Sequence, residues 1–246
     1  MSKNEQNFEP QKGFEPITAS QMYQIENNGE NIIGMRKLVM MENAGYKIFD
    51  FLVERFEKID KMKVVCICGL GNNAGDAFVC LRHLAVHVES GFAGTNNNFT
   101  LILMGDPNQI KTEEASTNWK IIEKIGSVKK IFTASSNIEK IEEEIDNADI
   151  IIDGLFGTGI KGKIKDPYSS MIDLINRQKG RSFILAIDIP SGLNPDTGEI
   201  TDKAVKANST ITFHRTKIGL LKNPEYSGEI VPVKIGIPVE AEIGVI

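Results

Sequence analysis

Short apolar runs alternate with amphipathic segments along most of this chain, and that rhythm limits the fold more than any other feature. Residues 63–68, 100–104, 128–132, 150–152 and 183–187 are short, largely apolar runs, too short for helices, and the first is apolar on both faces. Helical spacing separates them, as in Phe78, Leu81, Leu84, Ala85 and Val88, or in Met171, Ile172, Leu174 and Ile175. Alternation of this kind builds βαβ units, so an α/β fold is expected, with a parallel sheet covered by helices on both sides. Two helices precede the first run. One starts from a hydroxyl cap near Thr18 and is broken by Gly34, and the other runs from about Arg36 to Leu52. Near the end, 209–213 and 230–233 read as late strands joined by a Gly-rich connection without a helix between them. Residues 1–16 are polar, with Pro10 and Gly13, and are expected to form a loose arm. Repeats and low-complexity linkers are absent, so 17–246 is expected to be one domain.

Composition excludes several functions. A net charge of -5 argues against nucleic acid or an anionic membrane as the main partner. The chain contains no run of eighteen apolar residues and opens without a signal or transit pattern, so the cytoplasm is the expected location. Three cysteines with no C-x-x-C spacing argue against a disulfide framework or zinc site; Cys66 and Cys68 should share one face of the first strand. His83 and His87 have metal-compatible spacing but lack a third ligand nearby in sequence.

Three runs end in chemically loaded loops. The first continues Gly69-Leu70-Gly71-Asn72-Asn73-Ala74-Gly75-Asp76 before an apolar helical pattern opens at Phe78. The fourth ends in Asp153-Gly154-Leu155-Phe156-Gly157-Thr158-Gly159, with Lys161 and Lys163 close behind, a basic loop suited to phosphate. The fifth ends in Asp188-Ile189-Pro190-Ser191-Gly192. Carboxyl ends of parallel strands share one rim, so these loops should converge on one crevice. Gly69 and Gly71 form a loose dinucleotide fingerprint, but the only acid near the end of the second run, Asp106, lies too far along for the usual ribose contact. Asp153 and Asp188 follow unbroken apolar runs and need a donor, cation or proton to offset desolvation. With Asn73 they form an oxygen-rich cluster that suits a hard cation.

Five segments in order, 38–45, 71–76, 153–159, 188–193 and 212–220, resemble the NAD(P)H-hydrate epimerase family, the YjeF N-terminal domain family. The resemblance implies a Rossmann-like three-layer αβα sandwich with a mostly parallel sheet, usually a homodimer. It also implies interconversion of the R and S forms of hydrated NADH and NADPH, a step of nicotinamide nucleotide repair. By position, Asn72, Asn73, Ala74, Gly75 and Asp76 are expected to contact substrate, as are Gly157, Thr158, Gly159, Ile160, Lys161, Gly162, Lys163 and Asp188. Asn73, Asp153 and Ser191 are expected to hold a potassium ion. Asp188, with Asp76, is the expected proton shuttle or electrostatic stabiliser of a cationic intermediate. A separate hydrate dehydratase is the expected partner, since the chain ends at Ile246 without the dehydratase domain fused to many relatives. Ala74 and Ala77 stand where the family usually has glycine, and Tyr23-Gln24-Ile25-Glu26 where it often has an Asp-containing helix start. The alternatives are a non-catalytic dimeric scaffold of the same fold and, on the glycine fingerprint alone, a nicotinamide-dependent dehydrogenase.

Overall fold

The computed structural model describes residues 15–88, 98–133, 138–157 and 162–246. Helix α1 (Ala19–Asn31) begins with a capping box: the Gln21 amide donates to Thr18 Oγ1 at 3.1 Å, and the Thr18 amide donates to Gln21 Oε1 at 2.9 Å. Gly34, at φ 81°, turns the chain into α2 (Lys37–Arg55). Strand β1 (Val64–Cys68) then leads into α3 (Asn72–His87), and β2 (Phe99–Leu103) into α4 (Glu113–Ile122). Next come β3 (Val128–Phe132), α5 (Ile138–Asp146), β4 (Ile150–Gly154), α6 (Tyr168–Arg177) and β5 (Phe183–Ile187). The chain finishes with β6 (Ser209–Phe213), α7 (Ile218–Lys222), α8 (Pro224–Ser227) and β7 (Glu229–Val233).

The seven strands form one parallel sheet in the order β3-β2-β1-β4-β5-β6-β7. The order reverses between β1 and β4, which makes their carboxyl ends the topological switch point where open sheets bind ligands. The connection from β6 to β7 departs from the sequence expectation. It contains the short helices α7 and α8, because a parallel pair needs a crossover rather than a hairpin.

Alternation along β1 divides the core. Val64, Cys66 and Cys68 pack with Ile48, Leu52, Phe78 and Trp119 on the face covered by α1 to α4, and Cys80 joins them. Val65 and Ile67 pack with Ile141, Ile145, Ile172 and Ile175 on the face covered by α5 and α6. Cys66 and Cys68 thus share a face, and all three cysteines are buried free thiols. Most of the expected N-terminal arm lies outside the described residues, as do residues 89–97 and 134–137. Glu15, the first described residue, accepts from Arg215 Nη1 at 2.6 Å.

Candidate active site

Helix α3 begins earlier than its apolar pattern indicates. It starts at Asn72 with Gly71 as N-cap, so Asn72, Asn73 and Ala74 are its first turn and Asp76 lies just inside it. The first intrahelical bond runs from the Gly75 amide to Gly71 O at 3.3 Å, leaving the amides of Asn72, Asn73 and Ala74 for an anionic group at the positive end of the dipole. Ala74 keeps an ordinary helical φ and pays no left-handed penalty. Two glycines before it do different work. A Cβ at Gly69 would sit 2.0 Å from Leu155 O, so glycine lets the β1 and β4 ends meet. A Cβ at Gly71 would meet nothing within 4 Å, so its space opens into the crevice.

That crevice is a cavity of 360 Å³ at the carboxyl rim, within the range of small-molecule sites. The ends of β1, β4 and β5 all contribute to its wall, through Gly71, Asn72, Asn73, Ala74, Asp76, Phe156, Gly157 and Asp188. Lys111 lines it as well, an exposed cation beside the α3 N-terminus. Phe156 and Tyr168 stand on the wall with ring centroids 4.8 Å apart, a surface suited to a planar ring, and Tyr168 Oη is held by donation to Met104 O at 2.8 Å.

Asp188 is the fixed point of the site. It follows β5 at φ 61°, a left-handed conformation that Asp tolerates better than most residues and that clusters at functional sites. Three donors meet its Oδ1: Lys217 Nζ at 2.5 Å, the Phe213 amide at 3.0 Å and Thr212 Oγ1 at 3.3 Å. Lys217 is wholly buried, and its ammonium also donates to Phe213 O at 2.9 Å. Among the described residues no donor reaches Asp188 Oδ2. Asp76 is 6% exposed, and burial, reinforced by Asp188 and Glu26, pushes its carboxyl well above the usual range. Glu26, on α1, lines the same cavity; burial first, then Asp188, raises its carboxyl to about 7 against the pull of Lys217 and Lys37.

Beside the cavity lies a second polar cluster. Asp153 is fully buried and accepts from the Ser191 hydroxyl at 2.6 Å, the Ser191 amide at 2.8 Å and the Leu155 amide at 3.3 Å. Burial still pushes its carboxyl up to about 6. Asn73 donates through Nδ2 to Phe156 O at 3.1 Å and Ile187 O at 2.6 Å, while its Oδ1 packs where a side chain at Gly157 would collide at 2.8 Å. Carboxylate, hydroxyl, amide and carbonyl oxygens therefore converge with no basic side chain among them. That donor set fits a hard cation. Among the described residues no three His, Cys, Asp or Glu side chains gather as a metal site. His83 Nε2 lies 2.9 Å from Glu42, and His87 packs against Phe49.

The model of the YjeF-related protein N-terminus matches residues 37–219. The chain belongs to that family. It is 43% identical over 230 residues to an NAD(P)H-hydrate epimerase of Nitrosopumilus maritimus, covering 94% of this chain and 99% of the relative. A Cenarchaeum symbiosum protein of the same name is 44% identical with the same coverage. A bifunctional NAD(P)H-hydrate repair enzyme of Methanothermobacter thermautotrophicus is 40% identical over 86% of this chain and 38% of the relative. The crystal structure of yeast ynu0 superposes with a TM-score of 0.69 at 19% identity, covering 84% of this chain and 83% of that one, and shows the shared fold.

Against this YjeF-type frame, the structure sorts the residues singled out in the sequence. Asn72, Asn73, Ala74, Asp76, Gly157 and Asp188 line the cavity. Gly75 does not: a Cβ there would meet Met41 Sδ at 2.5 Å and Ala115 Cα at 3.1 Å, so it lets α2 and α4 approach α3. Gly162 and Lys163 are exposed and off the cavity wall, while Thr158, Gly159, Ile160 and Lys161 lie outside the described residues. The basic side chain on the described wall is Lys111, which follows Pro107 and Gln109 in a turn and carries no motif. Lys217 stood inside a matched segment without a role; its apolar neighbours Ile218 and Leu220 were the available sign of burial. Glu26 fell at a departure from the family pattern, and only its burial beside Asp188 marks it out.

Proposed function

We propose that this protein is an NAD(P)H-hydrate epimerase, an isomerase that interconverts the R and S epimers of hydrated NADH and NADPH. The observation that carries the reading is Asp188: a carboxylate on left-handed backbone at the switch-point rim, tethered by one oxygen to buried Lys217, with the other oxygen free in a cavity that suits a nucleotide. The near full-length likeness to archaeal epimerases supports it.

The substrate's hydroxyl sits on the carbon beside the ring nitrogen. Departure of that hydroxyl as water leaves a planar iminium, and water returning to the opposite face inverts the centre without redox change. Asp188 faces the developing positive charge, and its fixed position means that no reorganisation is needed as the charge appears. Asp76, whose carboxyl burial raises well above the usual range, stands on the same wall. The free amides of Asn72, Asn73 and Ala74, with Lys111, suit the pyrophosphate, and Phe156 and Tyr168 suit a planar ring. Gly157, on the cavity wall, adds a further substrate contact.

A potassium ion would be held by Asn73, Asp153 and Ser191; when bound it supplies positive charge that offsets the buried carboxylate and orders the β4 and β5 loops. Exposed apolar side chains on α1, at its C-terminal end and on α2, among them Tyr23, Ile32, Val39 and Tyr46, support a homodimer. The bifunctional relatives support a hydrate dehydratase as functional partner. No helix of the described residues is long and apolar enough to cross a membrane, and three free thiols fit the reducing cytoplasm. The deciding experiment mixes both hydrates with a dehydratase that consumes only the S form. With this protein present, the R form should disappear as well; persistence of R at high protein concentration would exclude the epimerase.

A further inference from the structure

Glu26 belongs to more than the main cavity. It also lines a 70 Å³ cavity behind it, and the two spaces share Asn72, Asp76 and Phe213 as walls. The rear cavity is bordered by Lys37 and Glu114, and these two residues border a further 60 Å³ pocket with Glu30, Arg36 and Glu113. Arg36 and Glu113 are exposed, so the outermost of these neighbouring spaces lies at the surface. Among the described residues none donates a hydrogen bond to the carboxyl of Glu26 or to that of Asp76, although Asp76 is 6% exposed. Two unpartnered carboxyls on a cavity wall are costly to keep unless something in the cavity uses them.

We propose that Glu26 is a catalytic acid–base of this site, delivering the proton that leaves with the substrate hydroxyl and exchanging with solvent through the rear cavities. The assignment rests on the epimerase reading and adds to it the proton carrier. In the forward step the C–O bond breaks with its electron pair going to oxygen. The departing oxygen takes the Glu26 proton and leaves as water, while the nitrogen lone pair forms C=N⁺. When water adds to the other face, the C=N π pair returns to nitrogen and the proton lost by that water restores the Glu26 carboxyl. Glu26 therefore starts and ends a turnover protonated.

Charge separates the three acids. Asp188 is ion-paired with Lys217, and burial raises Asp76 well above the usual carboxylate range. Glu26 faces Lys37 of α2, Asp76 of α3, Asp188 after β5 and Lys217 before α7, with Glu114 of α4 across the rear cavity. Burial and Asp188 raise it, Lys217 and Lys37 lower it, and it titrates at about 7, where a general acid–base works best.

The test compares wild type, Glu26→Gln and Lys37→Met by R-hydrate consumption across pH 5 to 9. For wild type, kcat/KM should fall as pH rises through about 7, because the acid form starts the reaction. Glu26→Gln should lower kcat on the order of 100-fold or more, leave KM within a few-fold and remove that limb. Lys37→Met should move the limb to higher pH, since it removes a charge that favours the Glu26 carboxylate. A readout independent of turnover is the thermal midpoint: relative to Glu26→Gln, wild type should lose stability as pH rises through about 7, the cost of a buried carboxylate. An active wild type with Glu26→Gln equally fast and the limb intact would overturn the assignment while leaving the epimerase reading in place. An inactive, folded wild type would overturn both.

Discussion

Single residues here carry roles that their neighbours in sequence do not share. Gly69 and Gly71 look alike in the motif, yet one is filled by protein and the other faces open space. Gly69→Ala should cost about 3 kcal/mol or more, because a methyl 2.0 Å from Leu155 O forces β1 and β4 apart. Gly71→Ala should change stability by less than about 1 kcal/mol while raising KM for the hydrate at least tenfold. Chemical denaturation and steady-state kinetics on both variants check the pair; equal KM values for Gly71→Ala and wild type would take that space away from the ligand. His214 makes a separate prediction. It is 1% exposed, bonded through Nε2 to Glu242 Oε1 at 2.7 Å, and burial pushes its pKa down to about 4. A lowered pKa means that the unfolded chain binds the proton more tightly. The contribution of His214 is therefore complete above its ordinary value of 6.5 and fades as pH falls through about 4, a loss of about 3 kcal/mol. Stability of wild type minus His214→Asn, followed by urea unfolding from pH 7 to 4, should fall by about that amount; Asn is chosen because His214 sits at φ 64°.

Between elements, the Asp188–Lys217 pair joins the end of β5 to the segment before α7. Ile17 adds a third strand-like partner there, its amide donating to Thr216 O at 2.8 Å and its carbonyl accepting from the Ile218 amide at 3.1 Å. The pair changes what Asp188→Asn should do. From sequence the substitution is expected to keep the fold and lose activity, but in the structure it leaves a wholly buried ammonium without its counter-charge. Asp188→Asn should therefore cost about 3 kcal/mol as well as slowing epimerisation by orders of magnitude. Adding Lys217→Met should recover much of the stability and none of the activity, a positive coupling that a double-mutant cycle measures directly. Additive losses would mean that the two side chains act independently. The start of α3 teaches the same lesson about elements. Its first turn is polar because it lines the cavity and its asparagines bond to Thr112, Phe156 and Ile187, so apolar periodicity places the helix too late, at Phe78 rather than Asn72.

At the scale of the whole molecule, the loops after β1, β4 and β5 are held together by hydrogen bonds from Asn73 to the Phe156 and Ile187 carbonyls and from the Phe156 amide to Ser191, which in turn holds Asp153. A cation among these oxygens would tie three strands at once. Replacing potassium by choline at equal ionic strength should lower the thermal midpoint of wild type and leave that of Asp153→Asn unchanged; identical midpoints for wild type in both salts would remove the potassium site. Much of this architecture is written locally. Runs of Val and Ile alternating with amphipathic helices dictate a parallel sheet, because the central runs bury both faces and each helix buries one stripe. The acids that end those runs announce a rim with chemistry on it. Three things depend on residues far apart in the chain: the strand order that makes β1, β4 and β5 neighbours, the burial of Lys217 against Asp188, and the meeting of Glu26 from α1 with both. Local pattern records which residues are apolar and where the chain turns. It does not record which charges lose their water together, and that shared desolvation is what turned an ordinary glutamate on the first helix into part of the site.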